Sequence, residues 1–241
     1  MRVVVLSDVH GNLPALEAVL ESAEDDEAEE LWCLGDLVGY NADPEACTTI
    51  VVKWADICLA GNHDLVVNGT VDIGVFAHDA AVAARWSQQV LSEGALEQLR
   101  ALSPSGERGK VELYHASPRD PVWEYVIDPR TAQSCLDVVR HDLTLIGHSH
   151  VPLAYQQGEQ TASGGYSEPG TIDLDGGRWL LNPGSVGQPR DGDPRAAYMV
   201  LDTGAGTATW KRIEYDIERA QRAIIEAELP GSLAWRLGEG R

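Results

Sequence analysis

The chain has 241 residues, 44 % of them apolar, enough for a buried core. Its formal net charge of −20 opposes approach to phosphate backbones at long range, which disfavours a groove for long nucleic acid. It contains no run of about 18 apolar residues for crossing a bilayer, and "MRVVVLSDVHGN" lacks the features of a signal peptide, so a cytoplasmic protein is expected.

The first element is "RVVVLSD" (2–8), a β-branched run that suits a strand buried on both faces. In "GNLPALEAVLESA", Leu13, Leu16, Leu20 and Ala23 recur at helical spacing, with Asn12 as cap and Pro14 in the first turn. The acidic run "ESAEDDEAEE" (21–30) reads as a solvated helix end and loop. A second strand (30–36), a helix capped by Asp43 (43–54) and a third strand (56–64) follow, the alternation of a parallel sheet with right-handed crossovers. Residues 72–102 read as two helices separated near Gly94, then 110–117 as strand, 131–140 as helix and 142–150 as a strand running into a loop.

After residue 150 the character changes. "VPLAYQQ", "GTIDLD", "RWLLNPG", "AAYMVLDT" and "TATWKRIEY" are short strands split by turns, expected in a mostly antiparallel sheet. A last helix covers 217–229, and 230–241 is expected to be a loose tail. No linker or repeat divides the chain, so residues 1–241 read as one domain with a core ending near 229. Cys33, Cys47, Cys58 and Cys135 form no CxxC pair and read as buried apolar residues.

In a parallel sheet, ligands bind beyond the carboxyl ends of the strands. The expected inner strands end in Asp8 and His10, in Asp36, in Asn62, His63 and Asp64, in His115, and in His148 and His150. Five of the seven histidines stand at such ends; His78 and His141 do not. Singly, each residue also suits a helix cap, a turn or a satisfied core position. Jointly, carboxylate, imidazole and amide donors suit borderline divalent ions such as Mn, Fe, Co, Ni or Zn. A carboxylate can bridge two such ions, and the local positive excess would draw a phosphate despite the acidic whole.

The stretches "SDVHGN", "GDLVGY", "GNHD", "HASPRDP", "GHSH" and "NPGSVGQPRDGDPRAAY" resemble, in order, the motifs of the calcineurin-like metallophosphoesterases, in particular the small single-domain bacterial and archaeal phosphodiesterase branch. The resemblance runs from residue 3 to near residue 215. It implies an α/β fold, a two-sheet β-sandwich flanked by helices. It also implies a dinuclear-metal-dependent phosphoesterase that hydrolyses phosphodiester bonds of small molecules with a metal-bridging hydroxide. Carried over by motif, Asp8, His10, Asp36 and His150 would hold one metal, and Asp36, Asn62, His115 and His148 the other. His63 would be the general acid, with Asp64 orienting it.

Tyr40, Arg119, Trp123, Tyr125 and Arg190 are weaker candidates for the substrate pocket, with core packing or surface ion pairs as the alternative for each. Ala116 stands where relatives often have Gly, which bears on substrate clearance. A phosphomonoesterase or nucleotide phosphatase is the nearest alternative, and a non-catalytic scaffold on the same fold is another. A small phosphate ester is the expected partner, with no membrane and room for a homo-oligomer.

Overall fold

The computed structural model describes residues 1–241. Two six-stranded sheets face each other. The first has the order β3 (Ile57–Cys58), β2 (Glu30–Cys33), β1 (Arg2–Leu6), β11 (Ala196–Asp202), β12 (Thr207–Ile213), β9 (Gly170–Asp173). The second has the order β4 (Ser105–Arg108), β5 (Val111–Tyr114), β6 (Leu143–Leu145), β10 (Trp179–Pro183), β7 (Pro152–Gln156), β8 (Ser163–Tyr166).

The strand period of two decides the layers. Val3 and Val5 of β1 point between the sheets, where they meet Trp32, Leu34, Leu113, Leu145, Leu181 and Met199. Val4 and Leu6 point outward into a cluster with Leu16 and Val19 of α1 (Leu13–Glu24) and Val51 of α2 (Pro44–Trp54). A third cluster packs α6 (Pro129–Leu136) on the outer face of the second sheet. No helix is long and apolar enough to cross a membrane.

Neither sheet is purely parallel. β1 pairs parallel with β2 but antiparallel with β11, and β10 pairs parallel with β6 but antiparallel with β7. The strands expected as a separate antiparallel sheet are thus divided between the two. β4 and β8 were not expected: "SGER" and "SGGY" carry no apolar alternation, which suits their places at the two edges of the second sheet.

Other expectations are corrected locally. Asn12 caps α1, accepting from Ala15 N at 3.2 Å, but the Asp43 side chain makes no capping bond ahead of α2. The third strand stops at Cys58, and "NHD" opens a short helix, α3 (Asn62–Val67). The break in 72–102 falls at Leu91–Ser92, between α4 (His78–Val90) and α5 (Glu93–Arg100), because Ser92 Oγ caps α5 by accepting from Ala95 N. The tail is ordered as α8 (Gly231–Glu239). It buries Leu233, Ala234 and Leu237 with Ala220 and Ile224 of α7 (Ile217–Glu226) and with Tyr40.

Candidate metal centre

Both sheets deliver side chains to one place. Asp8 and His10 follow β1, Asp36 follows β2, Asn62 and His63 open α3, His115 follows β5, and His148 and His150 follow β6. Eight non-glycine residues have positive φ, and six of them are here: Asp8 (55°), His10 (50°), Asp36 (56°), Tyr40 (60°), His148 (63°) and His150 (60°). The left-handed region costs a non-glycine residue about 1 kcal/mol or more. In Asp-x-His and His-x-His the repeated left-handed turn sends alternate side chains to a common centre. Sequence reasoning had no signal for this strain.

Asp8, His10, Asp36 and His150 form one group whose ligand atoms lie within 4.8 Å of one another. Asp36, His115 and His148 form a second by the same measure, so Asp36 is common to both. Asn62 Oδ1 lies 3.2 Å from His115 Nε2 and thus sits beside the second group. All seven residues are buried.

Main-chain carbonyls orient the rings. His10 Nδ1 donates to Val38 O (2.9 Å), His115 Nδ1 to Leu34 O (2.8 Å) and His150 Nδ1 to Gln188 O (2.6 Å). A carbonyl only accepts, so each Nδ1 carries the proton and each Nε2 presents a lone pair. His148 Nε2 is buried with no partner at all. Further bonds hold the loops. Ser185 Oγ donates to Asp8 O (2.8 Å), Asn182 Nδ2 to Gly147 O (2.7 Å) and Asn41 Nδ2 to His10 O (2.9 Å). The "NPGS" stretch therefore supports the ligand loops from behind.

Burial pushes the Asp8 carboxyl up to about 7, with His115 opposing the rise and Asp36 adding to it. Asp36 lies well above the usual carboxylate range because of burial and the neighbouring Asp64. Burial holds His10 and His150 well below the usual imidazole range and brings His148 down to about 2. Burial thus disfavours charge throughout the cluster, holding the carboxylates towards their protonated form and the imidazoles in their neutral, lone-pair form. A divalent cation reverses that preference, and the donor set fits one.

His63 belongs to neither group. Its peptide N donates to Asp36 Oδ1 (2.8 Å), and its ring stands 4.4 Å from Tyr40, 4.4 Å from Phe76 and 4.8 Å from His10, centroid to centroid. Its Nδ1 is buried without a partner, and a Cβ at Gly39 would overlap it. The expectation that Asp64 orients His63 is corrected. The Asp64 carboxylate accepts from the peptide N–H groups of Asp36 (2.8 Å), Leu37 (2.9 Å), Val38 (3.3 Å) and Gly61 (2.8 Å). It fastens the Asp36 loop to the start of α3, and those donors occupy it.

A cavity of about 280 Å³ opens over the cluster, lined by Asp36, Asn62, His63, His148 and His150. Tyr40, Trp123, Tyr125 and Arg190 line it too, together with Phe76 and Val75, which the sequence reading passed over as helix residues. Arg119 does not reach it; it pairs with Glu124 at 3.4 Å and is largely exposed, the surface ion pair left open from the sequence. Ala116 is buried and also lies outside the cavity lining.

Residues 1–206 match the calcineurin-like phosphoesterase superfamily domain. An uncharacterized protein of Methanocaldococcus jannaschii, MJ0912, is 35 % identical, covering 99 % of this chain and 98 % of its own length. Phosphodiesterase YfcE of Escherichia coli is 27 % identical over 84 % of this chain and 88 % of its own. The crystal structure of a metallophosphoesterase from Sphaerobacter thermophilus is 38 % identical, with a TM-score of 0.91 over 100 % of both chains.

Proposed function

The chain belongs to the calcineurin-like phosphoesterase superfamily, and from that premise we propose that it uses two divalent ions to hydrolyse phosphodiesters of small molecules. That it is a hydrolase of phosphoric esters follows from the family and from the phosphodiesterase relatives. The ligand assignment rests chiefly on one observation: two buried acceptor groups share Asp36. Asp8, His10, Asp36 and His150 would hold one ion, and Asp36, Asn62, His115 and His148 the other. Such ions, when bound, supply Lewis acidity and lower the pKa of water to near neutrality.

The protein's own residues do the rest. The carbonyl-anchored imidazoles keep their Nε2 atoms fixed, so little reorganisation is needed when substrate arrives. Gly39 lies against His63 Nδ1, so Nε2 is the nitrogen we assign to protonate the leaving oxygen. Burial holds this imidazole well below its usual range, and the negative charge of a bound phosphate would favour its protonated form. The preference for diesters over monoesters is supported by the similarity to the phosphodiesterase YfcE. The net charge of −20 favours small substrates over long nucleic acid. The working unit is read as the whole chain, since α7 and α8, beyond residue 206, pack on Tyr40.

The test is a metal-stripped enzyme assayed on an aryl phosphodiester and an aryl phosphomonoester, with Mn, Co, Ni or Zn returned one at a time. Activity is expected only with metal and greater on the diester. Full activity in stripped protein would remove the metal mechanism, and greater activity on the monoester would reverse the preference.

A further inference from the structure

The loop that follows β10 carries Arg190 to the cavity over the cluster. Its Nη2 donates to two neutral oxygens, Tyr40 Oη at 3.2 Å and Gln188 Oε1 at 3.1 Å. Its Nε is buried with no partner. The arginines around it are satisfied differently: Arg195 pairs with Asp193 at 2.6 Å, and Arg212 pairs with Asp191. Arg190 has no carboxylate of its own. A largely buried guanidinium without a paired anion is costly, and the cost grows when metal cations occupy the same cavity.

Its position is built, not incidental. Asp191, the next residue, is tied to buried Arg212 of β12 and accepts from Tyr166 Oη at 2.9 Å. Gly192 N donates to Gly240 O at 3.0 Å, which fastens the same loop to the end of α8. Tyr40 completes the mount. Its ring lies 4.6 Å from His10 and 5.6 Å from the Arg190 guanidinium carbon, and it packs among Ala220, Leu233 and Leu237 of the C-terminal helices. The cationic end is thus held at the cavity by contacts from β12, α7 and α8, mostly beyond residue 206, where the superfamily match ends.

We propose that Arg190 is the substrate-anion anchor of this site, its guanidinium taking a phosphate oxygen that the metal-ligand cluster does not take. The planar fork suits a pair of phosphate oxygens. Arg190 would then contribute to binding the phosphate group whatever organic group the substrate bears. The proposal rests on the phosphoesterase reading above and is tested separately from it.

The probe is inorganic phosphate. Its binding to metal-loaded wild type, Arg190→Gln and Arg190→Lys is measured by calorimetry, with metal content, melting temperature and steady-state kinetics on an aryl phosphodiester for each. Arg190→Gln is expected to keep its metal, to bind phosphate roughly tenfold to a hundredfold more weakly, and to lose kcat/KM on the same scale, that of a charged hydrogen bond. Arg190→Lys, which keeps the charge but not the fork, is expected to fall between the two and covers the case in which the Gln variant does not fold. Unchanged phosphate affinity in Arg190→Gln overturns the proposal. So does loss of metal in step with loss of phosphate binding, because Arg190 would then be a counter-ion of the cluster. A wild type that hydrolyses no phosphoester with any metal strikes the functional reading, while the phosphate titrations still decide on Arg190.

Discussion

The Nε2 atoms of His10 and His150 stand 3.0 Å apart while both Nδ1 atoms donate to main-chain carbonyls. Two lone pairs therefore face each other in a buried site where neither ring readily takes a second proton. A cation shared between them would make that contact favourable.

Metal should therefore stabilise the fold. Adding Mn, Co or Zn to stripped protein is expected to raise the melting temperature in a concentration-dependent way, by about 2.7 kcal/mol of stability at a hundredfold excess over Kd. Scanning calorimetry at several metal concentrations reads this. A melting temperature indifferent to metal would mean that the facing imidazoles hold no ion.

Asp36→Asn should remove more metal than Asp8→Asn. Asp36 belongs to both ligand groups, and Asp8 to one. Metal counting on the two purified variants is expected to show near-complete loss in the first and retention of close to one ion in the second. Equal losses would contradict a shared ligand.

His63→Ala should keep its metal, because His63 belongs to neither group. Its rate is expected to fall by roughly a hundredfold or more on substrates with poor leaving groups, the scale of general-acid assistance. Activated aryl esters should slow much less, since their leaving oxygen is stable as an anion. Kinetics on one substrate of each kind decide it, and an equal slowing on both would take the acid role from His63.

Asp64→Ala should act on stability as well as activity. It would strand the peptide N–H groups of Asp36, Leu37, Val38 and Gly61 in a buried site, at a cost of about 3 kcal/mol or more. Urea titration should show the loss. A variant as stable as wild type but slow would return Asp64 to a role beside His63.

Asp128 sets a pH-dependent part of the stability. It caps α6, accepting from Thr131 Oγ1 (2.6 Å), Arg130 N (2.9 Å) and Thr131 N (3.1 Å), and these bonds hold its carboxyl below the usual range. A lowered folded value means that the stabilisation is present above the unfolded pKa and is lost as pH falls through the folded one. Asp128→Ala is expected to cost about 1 kcal/mol near pH 7, with the gap to wild type closing below about pH 4. A gap that stays constant down to pH 2 would refute the titration.

The sequence by itself determined the elements that carry strong local periodicity and the identity of the chemical groups. β-branched "RVVVL" had to be a strand, Asn12 and Pro14 had to open a helix, and the Asp, His and Asn residues at strand ends were visible as one ligand set. Tertiary structure decided which strands became neighbours, because pairing depends on partners far apart in the chain: β1 took β11 and β10 took β6. It also decided the backbone of the site. The left-handed turns at Asp8, His10, His148 and His150 are locally unfavourable, so no local propensity announces them; packing from both sheets imposes them. Asp64 and Arg119 show the same limit in side chains. A carboxylate beside an imidazole in sequence bonded instead to four peptide groups, and an arginine near the site in sequence turned to Glu124, because hydrogen bonds follow distance in space.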